Sequence, residues 1–234
     1  MEASAAGKES GLRRILLAVI ALLASAAAHA TTVYDNTGAG AGAPNSAAGA
    51  TLFNSFSTGA VSGALSGLEL VLDVGNPSDG GSVTVSLYGD STSCGGLGTS
   101  SCPGSFITNV GTVNDSALVS SPTPPVTTVS LTANPVLSSS TRYWIAVGGS
   151  VSGSANWLEA SANTGTGVSG EFWGDGNYPY TVTGATFADS SANPAEQMQV
   201  TVGSAAVPEP SSLWLVAGGF ALTALRRRTN YFRN

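Results

Sequence analysis

Two acids and three aromatics share the stretch Glu171-Phe172-Trp173-Gly174-Asp175-Gly176-Asn177-Tyr178. Paired carboxyls are the equipment of a glycosidase, in which one protonates the leaving oxygen and the other attacks or activates water. Most other catalytic machinery is excluded by inventory. The one histidine, His29, and the one lysine, Lys8, both lie within the first 30 residues. Residues 31–234 therefore hold no Ser-His-Asp triad, Cys-His pair, Schiff-base lysine or histidine metal site. A G-x-S-x-G elbow and a P-loop are absent as well. Aromatic faces also stack on sugar rings, which makes Trp144, Trp157, Trp173 and Tyr178 candidate sugar-binding residues, although such side chains more often fill a β-protein's core or its rim. The balance favours a protein that is not an enzyme. A carbohydrate-binding module is the second reading, and a two-carboxylate glycosidase a distant third.

Metal and thiol chemistry are equally sparse. The turn Asp73-Val74-Gly75-Asn76-Pro77-Ser78-Asp79 offers hard oxygen ligands but lacks EF-hand spacing, and Asp and Asn favour turns for conformational reasons alone. It reads first as a solvated turn, with no metal and no cofactor expected. Cys94 and Cys102 are separated by seven mostly small residues. Two thiols without histidine leave a zinc site short of ligands. In an exported chain this spacing predicts a local disulfide at a hairpin tip, worth roughly 2–3 kcal/mol at best.

Export is indicated by the N-terminus. Lys8, Arg13 and Arg14 precede the apolar run Ile15 to Ala28, and Ala28-His29-Ala30 supplies an A-x-A site. These parts make a secretory signal peptide over residues 1–30, with cleavage between Ala30 and Thr31. The run falls short of the ~20 residues a spanning helix needs. Beyond it, residues 31–206 carry one basic side chain, Arg142, against eleven acidic ones. Such a body should repel nucleic acid and anionic lipid.

The elements that position these residues follow from periodicity. Val83, Val85 and Leu87 alternate with Thr84, Ser86 and Tyr88, the period of a half-buried strand. Leu68, Leu70 and Leu72 repeat the pattern, as do Tyr143, Ile145 and Val147, and Met198, Val200 and Val202. Weaker strands are expected near Thr32–Tyr34, Leu52–Phe56, Phe106–Val113, Thr128–Leu131, Trp157–Ala160 and Tyr180–Thr183. Turn clusters such as Asn76–Gly81 and Ser120–Pro125 separate them. Disorder is disfavoured, because the mean hydropathy is positive whereas disordered chains pair low hydrophobicity with high net charge. The prediction is an all-β, antiparallel β-sandwich or jelly roll spanning residues 31–203.

The C-terminus is organised differently. A linker over residues 204–212 contains Pro208-Glu209-Pro210, where prolines on either side of Glu209 disfavour helix and hold the chain extended, as a protease needs a cleavage strand presented. Residues 213–225 carry no charge and would span ~20 Å as a helix, against a hydrocarbon core of ~30 Å. Snorkelling arginines can make up part of the mismatch. Arg226, Arg227 and Arg228 then open a basic tail, residues 226–234, which stays cytoplasmic by the positive-inside rule and stops translocation.

Pro208-Glu209-Pro210, the short apolar segment and the arginine run together resemble the PEP-CTERM sorting signal of Gram-negative bacteria. The resemblance covers only the tail. It implies an exosortase partner, a membrane cysteine protease that cleaves near the motif so that the body is released or passed to the cell surface. It also implies a membrane-held intermediate and an association with exopolysaccharide and biofilm. The body more weakly resembles the choice-of-anchor extracellular β-domains, through Val33-Tyr34-Asp35-Asn36, the Leu68 to Leu72 strand and Arg142-Tyr143-Trp144-Ile145-Ala146-Val147. No catalytic residue is implied by that likeness.

Overall fold

A computed structural model of the chain describes residues 29–74, 80–93, 101–120, 123–149, 155–162, 164–168, 180–183, 186–189 and 194–204. Its strands form two antiparallel sheets. The first runs in the order β1 (Ala30–Asp35), β14 (Met198–Ser204), β4 (Gly63–Val74), β11 (Ala155–Ala160), β2 (Ala41–Ser46), and the short β7 (Val126–Thr128) and β9 (Val136–Leu137) also pair with β4. The second runs β13 (Thr186–Asp189), β12 (Tyr180–Thr183), β3 (Thr51–Ser57), β10 (Arg142–Gly149), β5 (Ser82–Ser91), β6 (Cys102–Asn114), β8 (Ser130–Leu131).

Alternation decides which faces meet. Leu68, Leu70 and Leu72 on β4 and Met198, Val200 and Val202 on β14 share one buried cluster with Val83, Val85 and Leu87 on β5 and Tyr143, Ile145 and Val147 on β10. One core fed by both sheets is a β-sandwich. Each such side chain contributes roughly 1.5–3 kcal/mol when fully removed from water.

The strands expected at Thr32–Tyr34, Leu52–Phe56, Phe106–Val113, Trp157–Ala160 and Tyr180–Thr183 all form. Thr128–Leu131 is not one strand but two. The Val129 N–H donates to the Leu68 carbonyl at 2.9 Å, within the first sheet; Ser130 and Leu131 then pair with Thr112 and Gly111 in the second. The chain crosses between sheets at that point. The strand β2 was not anticipated, because Ala-Gly-Ala-Pro-Asn-Ser has turn composition. Its position at the sheet edge explains how Pro44 is tolerated there.

Burial is two-sided on β10. Trp144 and Ala146, which point away from the core, pack with Phe53 and Cys102 in a second cluster on the outer face. Reading β10 as a strand buried on one face therefore captures only half of its packing.

Candidate functional site

The described residue types capable of chemistry concentrate where β4 changes partner. Its residues up to Leu70 pair with β14, and Leu72 to Val74 pair with β11. Gln197 sits at the changeover. The Val71 N–H donates to the Gln197 carbonyl at 3.1 Å, and the Gln197 N–H donates to the Leu158 carbonyl at 2.7 Å. The Trp157 indole N–H donates to the same Gln197 carbonyl at 2.9 Å. Backbone at such a junction has no continuous ladder to satisfy it, so side chains must do so.

Three asparagines, nine residues apart in sequence, supply most of those bonds. Asn36 donates from Nδ2 to the Glu196 carbonyl at 3.0 Å and accepts from the Met198 N–H at 2.8 Å. Asn54, on β3 of the opposite sheet, accepts from the Glu196 N–H at 3.0 Å. Asn45, on β2, donates from one Nδ2 to two carboxyls, Glu159 Oε1 at 2.8 Å and Glu196 Oε1 at 2.7 Å. The register of β2 against β11 shifts between Leu158 and Ala160, which places Glu159 at an irregularity. There Glu159 bridges Glu196. Gly42 allows the approach of the two strands, since a Cβ at that position would lie 3.0 Å from the Glu159 carbonyl oxygen.

Both acids are enclosed, Glu159 at 6 % and Glu196 at 1 % exposure. Burial pushes the Glu196 carboxyl well above its ordinary value, the Asn45 hydrogen bond opposes that, and the nearby Glu159 charge adds to it. Burial thus biases the Glu196 carboxyl towards its protonated form. Its second oxygen, Oε2, is buried without a hydrogen-bond partner. A pair this closed offers no cleft for a polysaccharide and does not supply a glycosidase site.

The expected site residues fall elsewhere. Trp144 and Trp157 are wholly buried, and their indole N–H groups are engaged with Asp90 Oδ1 at 2.8 Å and the Gln197 carbonyl respectively. Neither presents an open face to a sugar ring. Trp173, Tyr178, Glu171 and Asp175 lie outside the described residues. Cys102 is buried at the start of β6, opposite Ser91 of β5; Cys94 lies outside the described residues. Asp73 pairs in register with Asn156, and most of the turn that follows it also lies outside. Among the described residues, no three His, Cys, Asp or Glu side chains come together, and no helix is long and apolar enough to cross a membrane.

Glu159 and Glu196 were not anticipated from sequence. The available signal was an acid inside the otherwise strand-like Asn156-Trp157-Leu158-Glu159-Ala160, but nothing local names its partner 37 positions on.

The two ends of the body meet on neighbouring strands. Ala30 pairs with Gly203 and Thr31 with Val202, so the start of β1 lies beside the end of β14. Downstream of β14 come the Pro-Glu-Pro segment, the apolar run and the arginines. Residues 206–228 match the family model of the PEP-CTERM protein-sorting motif. The chain carries that sorting signal, the mark of an exported protein handled by an exosortase. No curated protein and no solved structure matches the chain.

Proposed function

We propose that this is a non-enzymatic surface or extracellular-matrix protein of a Gram-negative bacterium. Its sandwich is tethered at both ends during export and then freed from its tail by exosortase cleavage near Pro208-Glu209-Pro210. One observation carries the reading: Ala30 lies opposite Gly203. A leader ending at Ala30 and a membrane segment over residues 213–225 would join the body at neighbouring strands, an arrangement that suits a domain held against one face of a membrane. Signal cleavage would leave Thr31 paired with Val202, so maturation need not disturb the sheet. A Cys94–Cys102 disulfide would close the β5–β6 hairpin in the oxidising compartment. In this reading the mature body is a matrix component associated with exopolysaccharide.

The test separates the tail's two jobs. Replacing Pro208-Glu209-Pro210 by three alanines removes the protease's motif and keeps the apolar segment, so full-length precursor should accumulate in the inner membrane. Neutralising Arg226, Arg227 and Arg228 removes the stop to translocation, worth ~2.5–3.5 kcal/mol per arginine at a helix centre, so that variant should slip through unprocessed. Immunoblots of inner membrane, outer membrane and medium in a host with an exosortase give the readout. Identical distributions for wild type and both variants would overturn the reading.

A further inference from the structure

We propose that the end of the sandwich where β1 begins and β14 ends is a lipid-facing surface, which rests on the bilayer while the sorting tail is still attached. The inference rests on the reading of residues 213–225 as a membrane segment. Topology defines that end. Ser204 pairs with Gly63, Ala30 pairs with Gly203, and Gly63 also pairs with Leu137. A short connection, residues 58–62, joins Gly63 to the end of β3, where Ser57 pairs with Arg142.

Chain length decides which end can meet lipid. Residues 205–212 are all that separate β14 from the apolar run. Fully extended, they reach only ~30 Å. The twelve residues of β4, Gly63–Val74, run from the tail end to the opposite end, and at ~3.4 Å per residue they measure close to ~40 Å. A body standing on its opposite end would lift Ser204 farther above the bilayer than the tether can span.

The charges are arranged to match. Of the described acids, only Asp90 lies at the tail end. It is level there with Arg142, the one basic side chain of residues 31–206, because Tyr143 pairs with Gly89. Asp73 and Asp115 close the opposite end, Glu159 and Glu196 lie in the half nearer to it, and the rest fall between. Repulsion from anionic headgroups decays over a Debye length of ~8 Å, so a body seated on its tail end keeps the other acids out of range.

Apolar side chains are exposed where lipid would meet them. Val136, the register partner of Ala64, is 73 % exposed. Val168 is also exposed and lies beside the 58–62 connection, since a Cβ on Gly59 would come 3.5 Å from its Cγ2. Two valines would not hold a free protein on lipid. The tether makes the contact intramolecular, at an effective concentration of order mM for a short linker, so even a weak contact is occupied. Cleavage near Pro208-Glu209-Pro210 removes that advantage and lets the body leave the surface.

Chain exported in a host without an exosortase keeps its tail and can be reconstituted into vesicles of phosphatidylethanolamine and phosphatidylglycerol. The photo-crosslinking residue p-benzoylphenylalanine is placed at Val136 or, as a control, at Val119, an equally exposed class of position just beyond the Asp115–Ala117 turn at the opposite end. Mass spectrometry after illumination should find lipid adducts at Val136 at least tenfold above those at Val119. A Gly-Ser insert after Ala205 that makes the tether about four times longer lowers the effective concentration about eightfold, so adduct at Val136 should fall by up to that factor; a label merely enclosed by the body would not respond. Protein that fails to float with the vesicles would overturn the membrane-segment reading and this inference together. Protein that floats but gives equal adduct at the two positions, or adduct at Val136 indifferent to the insert, would overturn this inference alone.

Discussion

Between the sheets, Leu68, Leu70 and Leu72 meet Val83, Val85 and Leu87 across an apolar interior, whereas at the junction of β4, β11 and β14 the enclosed groups are Asn36, Asn54, Glu159, Glu196 and Gln197. Burial is equally complete in both places, yet it acts in opposite ways. Apolar contact is non-directional and its free energy scales with area, so neighbours can be exchanged at moderate cost. Buried amides and carboxyls stabilise only when their bonds are made, and cost heavily when they are not. The middle of the sandwich therefore supplies stability. The junction specifies which strand lies beside which.

Trp157 belongs to both regions, and its loss should be among the largest. Its ring is wholly buried in the common core while its N–H serves the Gln197 carbonyl at 2.9 Å. Trp157→Ala should cost about 3–5 kcal/mol, read as a fall in the urea midpoint with an unchanged m value. A loss under ~1 kcal/mol would mean that core and junction do not share this residue energetically.

The next effect is smaller and opposite in sign. Glu196 has a folded-state value above its unfolded value near 4.5, so over that interval the native state holds a proton that the unfolded chain has released. Stability from this group is then fully present below about pH 4.5 and declines as pH rises, until the native carboxyl itself ionises. Wild type should melt at progressively lower temperature as pH is raised from 4.5 towards 8. Glu196→Gln should flatten that slope and melt above wild type at neutral pH. A wild-type profile that is level across this range would show that the carboxyl ionises without penalty.

These two regions also differ in what a sequence can disclose. The period of two at Val83, Val85 and Leu87, or at Met198, Val200 and Val202, is local, and every such residue is buried where alternation places it. The sorting tail was legible for the same reason, since its parts follow one another in order. The junction was not. Asn45 meets Glu159 and Glu196 across more than a hundred positions, and β2, which brings it there, is written in turn-forming residues. Trp144 shows a third limit: an indole that suggested a sugar platform is covered, because alternation tells which face a residue takes and not what lies above that face.

That outer face provides the smallest predicted effect and the finest test. It is graded from closed to open. Phe53 is 4 % exposed and meets Tyr88 edge-on at 5.2 Å; Tyr88 meets Phe106 in the same manner at 5.4 Å, and Phe106 is 54 % exposed. An edge-to-face pair adds about 0.5–1.5 kcal/mol beyond burial, but a ring half in water has little transfer free energy to lose. Phe106→Ala should therefore cost no more than about 1 kcal/mol by urea unfolding, and Phe53→Ala about 3–5 kcal/mol, as for an enclosed ring. Equal losses at the two positions would show that the face over β6 is as closed as that over β3, and that Phe106 packs in solution against something more than Tyr88.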